Sequence, residues 1–307
     1  MSNLESQQGK IIIVTGGNSG VGFEAARHLA LKGAHVTFIS RSVERGKAAA
    51  ATIREALATV GPAAGTVTAA HADLADLSSV KAFAAAFVAS HSSLDVLLNN
   101  AGVMMLPRTL NQDGEELQMA TNHLGHFALT GLLMPLLAAT PGARIVNVSS
   151  HAHRTCTDLS LDDWTMERSY TPWSAYARSK MSNHLFTHEL NRRLAAKGGS
   201  TPVLAVTAQP GWALTSLAGK ATISGSWMAF INVFQHVFSH SAESGARPLV
   251  YAATESDVVA NDYWGPSFLG LKGAPGREKA SSMTSDAGAA AALWAKSEEV
   301  TQVSFLG

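Results

Sequence analysis

A glycine-punctuated turn between an apolar run and a helical pattern constrains this chain more than any other feature. Residues 10–15 read K-I-I-I-V-T, a β-branched run, and residues 21–32 follow with helical spacing. Between them lies T-G-G-N-S-G-V-G over 15–22. Glycines permit a tight turn and let the backbone approach a pyrophosphate, which then rests on the amides of a helix N-terminus. Gly16, Asn18, Ser19, Gly20 and Val21 are therefore candidate dinucleotide-binding residues. The spacing is G-x-x-x-G-x-G, not the commoner G-x-G-x-x-G, so the strand–loop–helix context carries the argument.

The same alternation continues along the chain. Segments 34–40, 65–70, 94–98, 144–149 and 203–208 read as further strands, with helical patterns from 43, over 112–137 and over 173–196. Near-continuous apolar strands alternating with helices predict an α/β fold: a single-domain, Rossmann-type, doubly wound parallel sheet with helices on both faces. At 307 residues and 46% hydrophobic, the chain can fill one large core. With no repeat or Pro/Ser-rich linker, one domain over 1–307 is expected. It divides into a core over 10–215, an aperiodic insertion over 151–172 and a C-terminal segment over 241–307.

Lys+Arg and Asp+Glu both number 23, which gives no basic excess for nucleic acid. Cys156 stands alone and cannot form an intramolecular disulfide. The polar N-terminal segment does not read as a signal peptide, and no run of about eighteen apolar residues suggests a membrane span. A cytoplasmic monomer or homodimer is expected.

The end of the second strand selects the cofactor. A carboxylate there would hold ribose hydroxyls and repel a 2′-phosphate. The sequence has Ser40-Arg41-Ser42 instead, and Arg41 can pair with a phosphate, which predicts NADP(H). Tyr176 and Lys180 lie at i, i+4 on one helix face. A free tyrosine is a poor acid or base near neutrality, and a neighbouring ammonium is expected to lower its pKa. Ser150 follows the strand over 144–149, at the carboxyl edge where parallel sheets bind ligands, and its hydroxyl can hold a substrate oxygen.

Taken together, these residues resemble the short-chain dehydrogenase/reductase family from residue 10 to about 215. Residues 15–22 fit its T-G-x-x-x-G-x-G loop, and Asn99-Asn100-Ala101-Gly102 fits its N-N-A-G motif. The resemblance implies that Asp73 and Leu74 contact the adenine, and that Asn100, Ala101 and Gly102 line the cofactor. It further implies a catalytic tetrad of Asn122, Ser150, Tyr176 and Lys180. Pro210, Gly211 and Thr215 would hold the nicotinamide carboxamide. In that family Tyr exchanges a proton with the substrate oxygen, Lys lowers the Tyr pKa and binds the ribose, Ser orients the substrate, and Asn supports a proton relay. No metal is required.

Within the family, the N-H-L-G-H-F wording over 122–127 is most similar to retinol dehydrogenases and bacterial relatives, with ketoreductase-like enzymes nearby. The membrane-anchoring N-terminal helix of many retinol dehydrogenases is absent, so the expected substrate is a bulky apolar carbonyl or alcohol rather than retinal specifically. C=C reduction by the same Tyr-Lys pair is an alternative, and a non-catalytic NADP sensor a more distant one.

The 12 histidines invite a metal reading, but His184 and His188 lack the glutamate of His-Glu-x-x-His. His151 and His153, in the insertion, are expected to be solvated, and Cys156 has no activating base nearby. In 212–240, Trp227, Phe230, Phe234 and Val237 or Phe238 recur at helical spacing, which predicts a mobile lid over an apolar substrate.

Overall fold

The computed structural model describes residues 5–198, 203–211 and 241–307. The proposed lid over 212–240 and Thr215 lie outside the described residues. Strands are β1 (Ile11–Thr15), β2 (His35–Ser40), β3 (Thr66–His71), β4 (Val96–Asn99), β5 (Arg144–Val148), β6 (Leu204–Ala208), β7 (Tyr263–Phe268) and β8 (Lys272–Arg277). Helices are α1 (Gly20–Leu31), α2 (Val43–Ala58), α3 (Leu77–Ser90), α4 (Gly125–Ala139), α5 (Pro172–Lys197), α6 (Ala242–Thr254) and α7 (Ala287–Thr301). The strands form one 8-stranded sheet in the order β3-β2-β1-β4-β5-β6-β7-β8. Every neighbouring pair is parallel except β7–β8.

Strand side chains alternate between the two faces, and each face needs its own cover. Ile12, Val14, Val36, Phe38, Val96, Leu98, Val146 and Val206 point to one face, where α1, α2 and α6 pack. Ile13, Ile39, Leu97, Ile145 and Ala205 point to the other, under α3, α4, α5 and α7. The chain leaves β1 toward β2 on one side and returns to β4 on the other. That order places the switch point, and hence the crevice for a ligand, between the carboxyl ends of β1 and β4.

One expectation changes in the structure. The helix expected over 112–137 does not begin at 112. Gly114 takes φ +83°, and the Asn111 side chain accepts from the amides of Asp113 and Glu115, closing a turn instead. The helical path starts at Leu117–Met119 with Glu116 as its cap, passes through a π-helical turn at Ala120–Leu124, and only then becomes α4. The insertion over 151–172 holds two short 3₁₀ turns, His151–Thr155 and Leu161–Asp163. It is packed rather than loose: Cys156, Leu159, Trp164 and Met166 are buried, and Arg178 lies 5.0 Å over the Trp164 ring. No described helix is long and apolar enough to cross a membrane.

Phe127 on α4 is fully buried, with the rings of Trp294, Phe305 and Phe186 centred 5.0, 5.1 and 5.4 Å away. Phe127→Ala removes that centre and should cost about 3–5 kcal/mol, read as a lowered urea midpoint. A loss below about 1 kcal/mol would show that the cluster can close over the gap.

Candidate active site

The glycine loop sits at the carboxyl end of β1. Gly16 adopts φ +69°, the left-handed region, and a Cβ there would meet Ala101 Cα at 3.0 Å. At Gly22 a Cβ would overlap the Asn100 side chain and the Gly16 carbonyl. The loop is therefore shaped for close backbone approach. Thr15 Oγ1 ties it to β4 by accepting from the amides of Asn100 and Ala101, both at 2.8 Å, while Asn100 Nδ2 donates to Thr15 O. With two donors accepted, the Thr15 proton goes to His126 Nε2 at 2.8 Å. His126 must then carry its own proton on Nδ1, which it donates to the Asn122 carbonyl at 3.0 Å. Burial lowers His126 to about 4, consistent with a neutral ring.

A cleft of about 350 Å³ opens from this loop. Gly16, Asn18, Ser19, Gly20 and Val21 line it, as do Arg41, Asp73, Leu74, Asn100, Ala101, Gly102, Ser150, Tyr176, Lys180, Pro210 and Gly211. The structure therefore gathers residues from seven separate stretches of sequence into one site, and an extended dinucleotide fits their order. Asn122 stands just behind the lining. Its side chain is occupied with backbone and hydroxyl: it accepts from Val103 N, and donates to Val103 O and to Ser179 Oγ.

Helix α5 carries Tyr176 and Lys180, and three hydrogen bonds dock this part of it on the carboxyl end of β5. Lys180 Nζ donates to Val148 O at 3.0 Å, Asn183 Nδ2 donates to the same carbonyl at 2.9 Å, and Ser149 Oγ donates to Lys180 O at 2.9 Å. This places Tyr176 beside Ser150 on the cleft wall. Lys180 Nζ lies 5.8 Å from the Tyr176 ring centre.

The expected lowering of the Tyr176 pKa does not appear in the protein by itself. Burial raises the phenol above its ordinary range, opposed by the Ser150 hydroxyl beside it. The same burial lowers Lys180 to about 8. Desolvation acts against both charged forms.

Sequence reasoning missed several lining residues. Arg45 and Ser42 join Arg41 at the β2 end. Arg41 is 58% exposed and its Nε lies 4.0 Å from Asp73 Oδ2, with Arg45 lining the same end of the cleft. Arg45 follows Arg41 by four residues on the first turn of α2, a spacing that signals it. Met104, Leu106 and Trp173 form an apolar flank. Trp173 precedes Tyr176 by one helical turn, with ring centres 6.2 Å apart.

The histidine readings also change. His153 is fully buried, not solvated: Nδ1 donates to Ser150 O at 2.7 Å and Nε2 accepts from Ser281 N. His151 is half-buried and pairs with Glu278 at 2.8 Å. His184 packs between His153 and Tyr263. Among the described residues no cluster of His, Cys, Asp or Glu could hold a metal. The Cys156 thiol is buried and its pKa raised.

Comparison with known proteins yields consistent likenesses. The model of the short chain dehydrogenase family matches residues 10–224. Human retinol dehydrogenase 13 is 38% identical over 293 residues, covering 94% of this chain and 83% of that protein. Human retinol dehydrogenase 12 is 43% identical over 193 residues, 63% of this chain and 59% of that one. The crystal structure of an uncharacterized protein from Mycobacterium paratuberculosis superposes with a TM-score of 0.80 at 41% identity, covering 99% of this chain and 97% of that one.

The buried Lys180 has a consequence in stability. Between about 8 and its ordinary 10.5, the folded protein binds fewer protons at this site than the unfolded chain. That difference makes stability rise with pH across the window. Lys180→Met should remove this contribution, seen as a flatter dependence of the urea midpoint between pH ~8 and ~10. An unchanged slope would place the Lys180 pKa near its ordinary value.

Proposed function

The chain belongs to the short-chain dehydrogenase family, and on that premise we propose that it is an NADP(H)-dependent oxidoreductase interconverting a bulky apolar carbonyl and its alcohol. The observation that carries this reading is the convergence of Tyr176, Ser150 and Lys180 at the far end of a cleft that begins on the glycine loop. The nicotinamide, when bound, supplies or takes up the hydride.

The protein's own groups account for the proton and the orientation. Ser150 Oγ, beside the Tyr176 phenol, holds the substrate oxygen. Tyr176 gives its proton to that oxygen in reduction and receives it in oxidation. Its raised pKa suits the acid role, since the phenol stays protonated until the oxygen needs it. Lys180 spends one of its three donors on Val148 O, leaving two for ribose hydroxyls. Asn122 holds Val103 and, through Ser179, the turn below Tyr176.

Preference for NADP(H) rests on Arg41 and Arg45 at the β2 end, where two guanidinium groups outweigh Asp73. The apolar substrate class rests on Met104, Leu106 and Trp173. The retinol dehydrogenases to which the chain is similar are named for an alcohol of that kind.

Screening NADPH oxidation against aldehydes and ketones of increasing apolar size, with the reverse alcohol reaction, tests the class. Tyr176→Phe should lose at least about 100-fold in kcat with NADPH affinity nearly intact. Retention of a tenth of the activity would remove Tyr176 from the proton step.

Arg41→Ala should weaken NADPH binding by about tenfold and leave NADH unaffected, the exposure of Arg41 keeping the loss modest. Titration of both cofactors decides it, and equal losses would make Arg41 structural.

A further inference from the structure

Behind the nicotinamide end of the cleft lies a closed hydrogen-bond cluster that the proton chemistry does not use. Glu278, just past β8, has a side chain only 11% exposed. Its Oε2 accepts from His151 Nε2 at 2.8 Å, and its Oε1 accepts from Gln209 Nε2 at 2.6 Å. Gln209 is 2% exposed and uses every remaining polar atom. Its second Nε2 proton goes to Gly270 O at 2.8 Å, and its Oε1 accepts from Gly211 N at 2.8 Å. Since Gln209 has no third proton for His151, the carboxylate is the partner of His151 Nε2.

The surrounding backbone leaves room for this cluster. A Cβ at Gly265 would overlap the Glu278 carboxylate and Gln209, and a Cβ at Gly270 would overlap His151. Gly270 also takes φ +67°, which a larger residue would resist. Arg154 Nη2 stands 3.8 Å from Glu278 Oε2.

Two ends of this network reach the cleft lining. His151 is the residue after Ser150, and Gly211 with Pro210 lines the cleft directly. Ser150 is further fixed by His153, which donates to its carbonyl. One carboxylate thus joins the turn after β5 to the turn after β6, across the place where the nicotinamide would lie in the proposed function.

We infer that Glu278 is a positioning residue that clamps the nicotinamide end of the cofactor site, holding Ser150 through His151 and Pro210-Gly211 through Gln209. The inference rests on the proposed cofactor. Glu278 touches neither cofactor nor substrate, so its effect should be confined to the part of the ligand nearest the clamp. The adenine and 2′-phosphate of the proposed cofactor would be held by groups at the ends of β1, β2 and β3, none of which the cluster contacts.

The test compares NADPH with 2′,5′-ADP, which keeps the adenosine phosphates and lacks the nicotinamide. In Glu278→Ala both carboxylate oxygens are removed, so His151 and Gln209 each lose their acceptor. NADPH should bind about 5–20-fold more weakly, while 2′,5′-ADP stays within about twofold of wild type. Amide exchange at Gly211, measured on the protein without ligand, should accelerate by about tenfold or more while the amides of β1 and β4 keep their protection. His151→Ala cuts only one arm and should leave Gly211 exchange within about threefold of wild type, which guards against general loosening.

Equal losses for NADPH and 2′,5′-ADP, or Gly211 exchange unchanged in Glu278→Ala, would overturn the inference. Failure of the wild-type protein to bind either nucleotide would instead overturn the proposed function, and Gly211 exchange would still decide whether the clamp exists.

Discussion

The Thr15 hydroxyl joins the parts of this site that must move together. Standing at the end of β1, it accepts from the amides of Asn100 and Ala101 at the end of β4 and donates to His126. Those two strand ends flank the switch point of the sheet, where the crevice opens. His126 carries the connection to the Asn122 carbonyl in the π-helical turn, and Asn122 passes it to Val103 and Ser179. Every group in this chain is buried or partly buried and matched donor to acceptor. A chain of this kind is costly to break at any member, because the partner left behind is desolvated and unpaired.

The features legible in the sequence were those that short-range chemistry imposes. The glycines of 15–22 announce the loop because backbone approach admits no other residue. The strand runs from β1 to β6 announce a doubly covered sheet because both faces are buried. Tyr176 and Lys180 announce themselves by helical spacing, and Ser150 by its place at a strand end.

The C-terminal region gave no such signal, for a physical reason. β7 reads YWGPSF and β8 reads KGAPGR, with glycine and proline in both, and Pro266 pairs with Pro275 beside a register shift. β8 is the last strand of the sheet, paired only to β7 and largely exposed, so it needs no apolar alternation. Glu278 was invisible for the same reason: only the fold brings it to Gln209, 69 residues away. The start of the α4 region lies later than expected because Asn111 and Gly114 form a turn in the polar stretch 112–116, and the apolar pattern begins only at Leu117.

The least predictable outcome concerns charge. Spacing alone suggests an ammonium beside a phenol and therefore an acidified tyrosine. The structure shows that the helix face bringing the two together also buries both, and burial opposes phenolate and ammonium alike. A positive nicotinamide ring beside them would shift that balance toward the phenolate in the direction of alcohol oxidation, whereas carbonyl reduction calls for the protonated phenol that burial already favours.

Lys180 therefore has two roles that a single substitution cannot separate. Its Nζ and Asn183 Nδ2 converge on Val148 O, while Ser149 Oγ bonds back to the Lys180 carbonyl. These bonds fix α5 on β5 and so set the separation of Tyr176 from Ser150. Removing the ammonium takes away a charge and one of the pins that hold Tyr176 beside Ser150. Asn183, buried and uncharged, supplies the comparison: its loss removes a pin at the same carbonyl and leaves the charge in place. The geometry thus separates positioning from electrostatics at Asn183, where Lys180 itself confounds them.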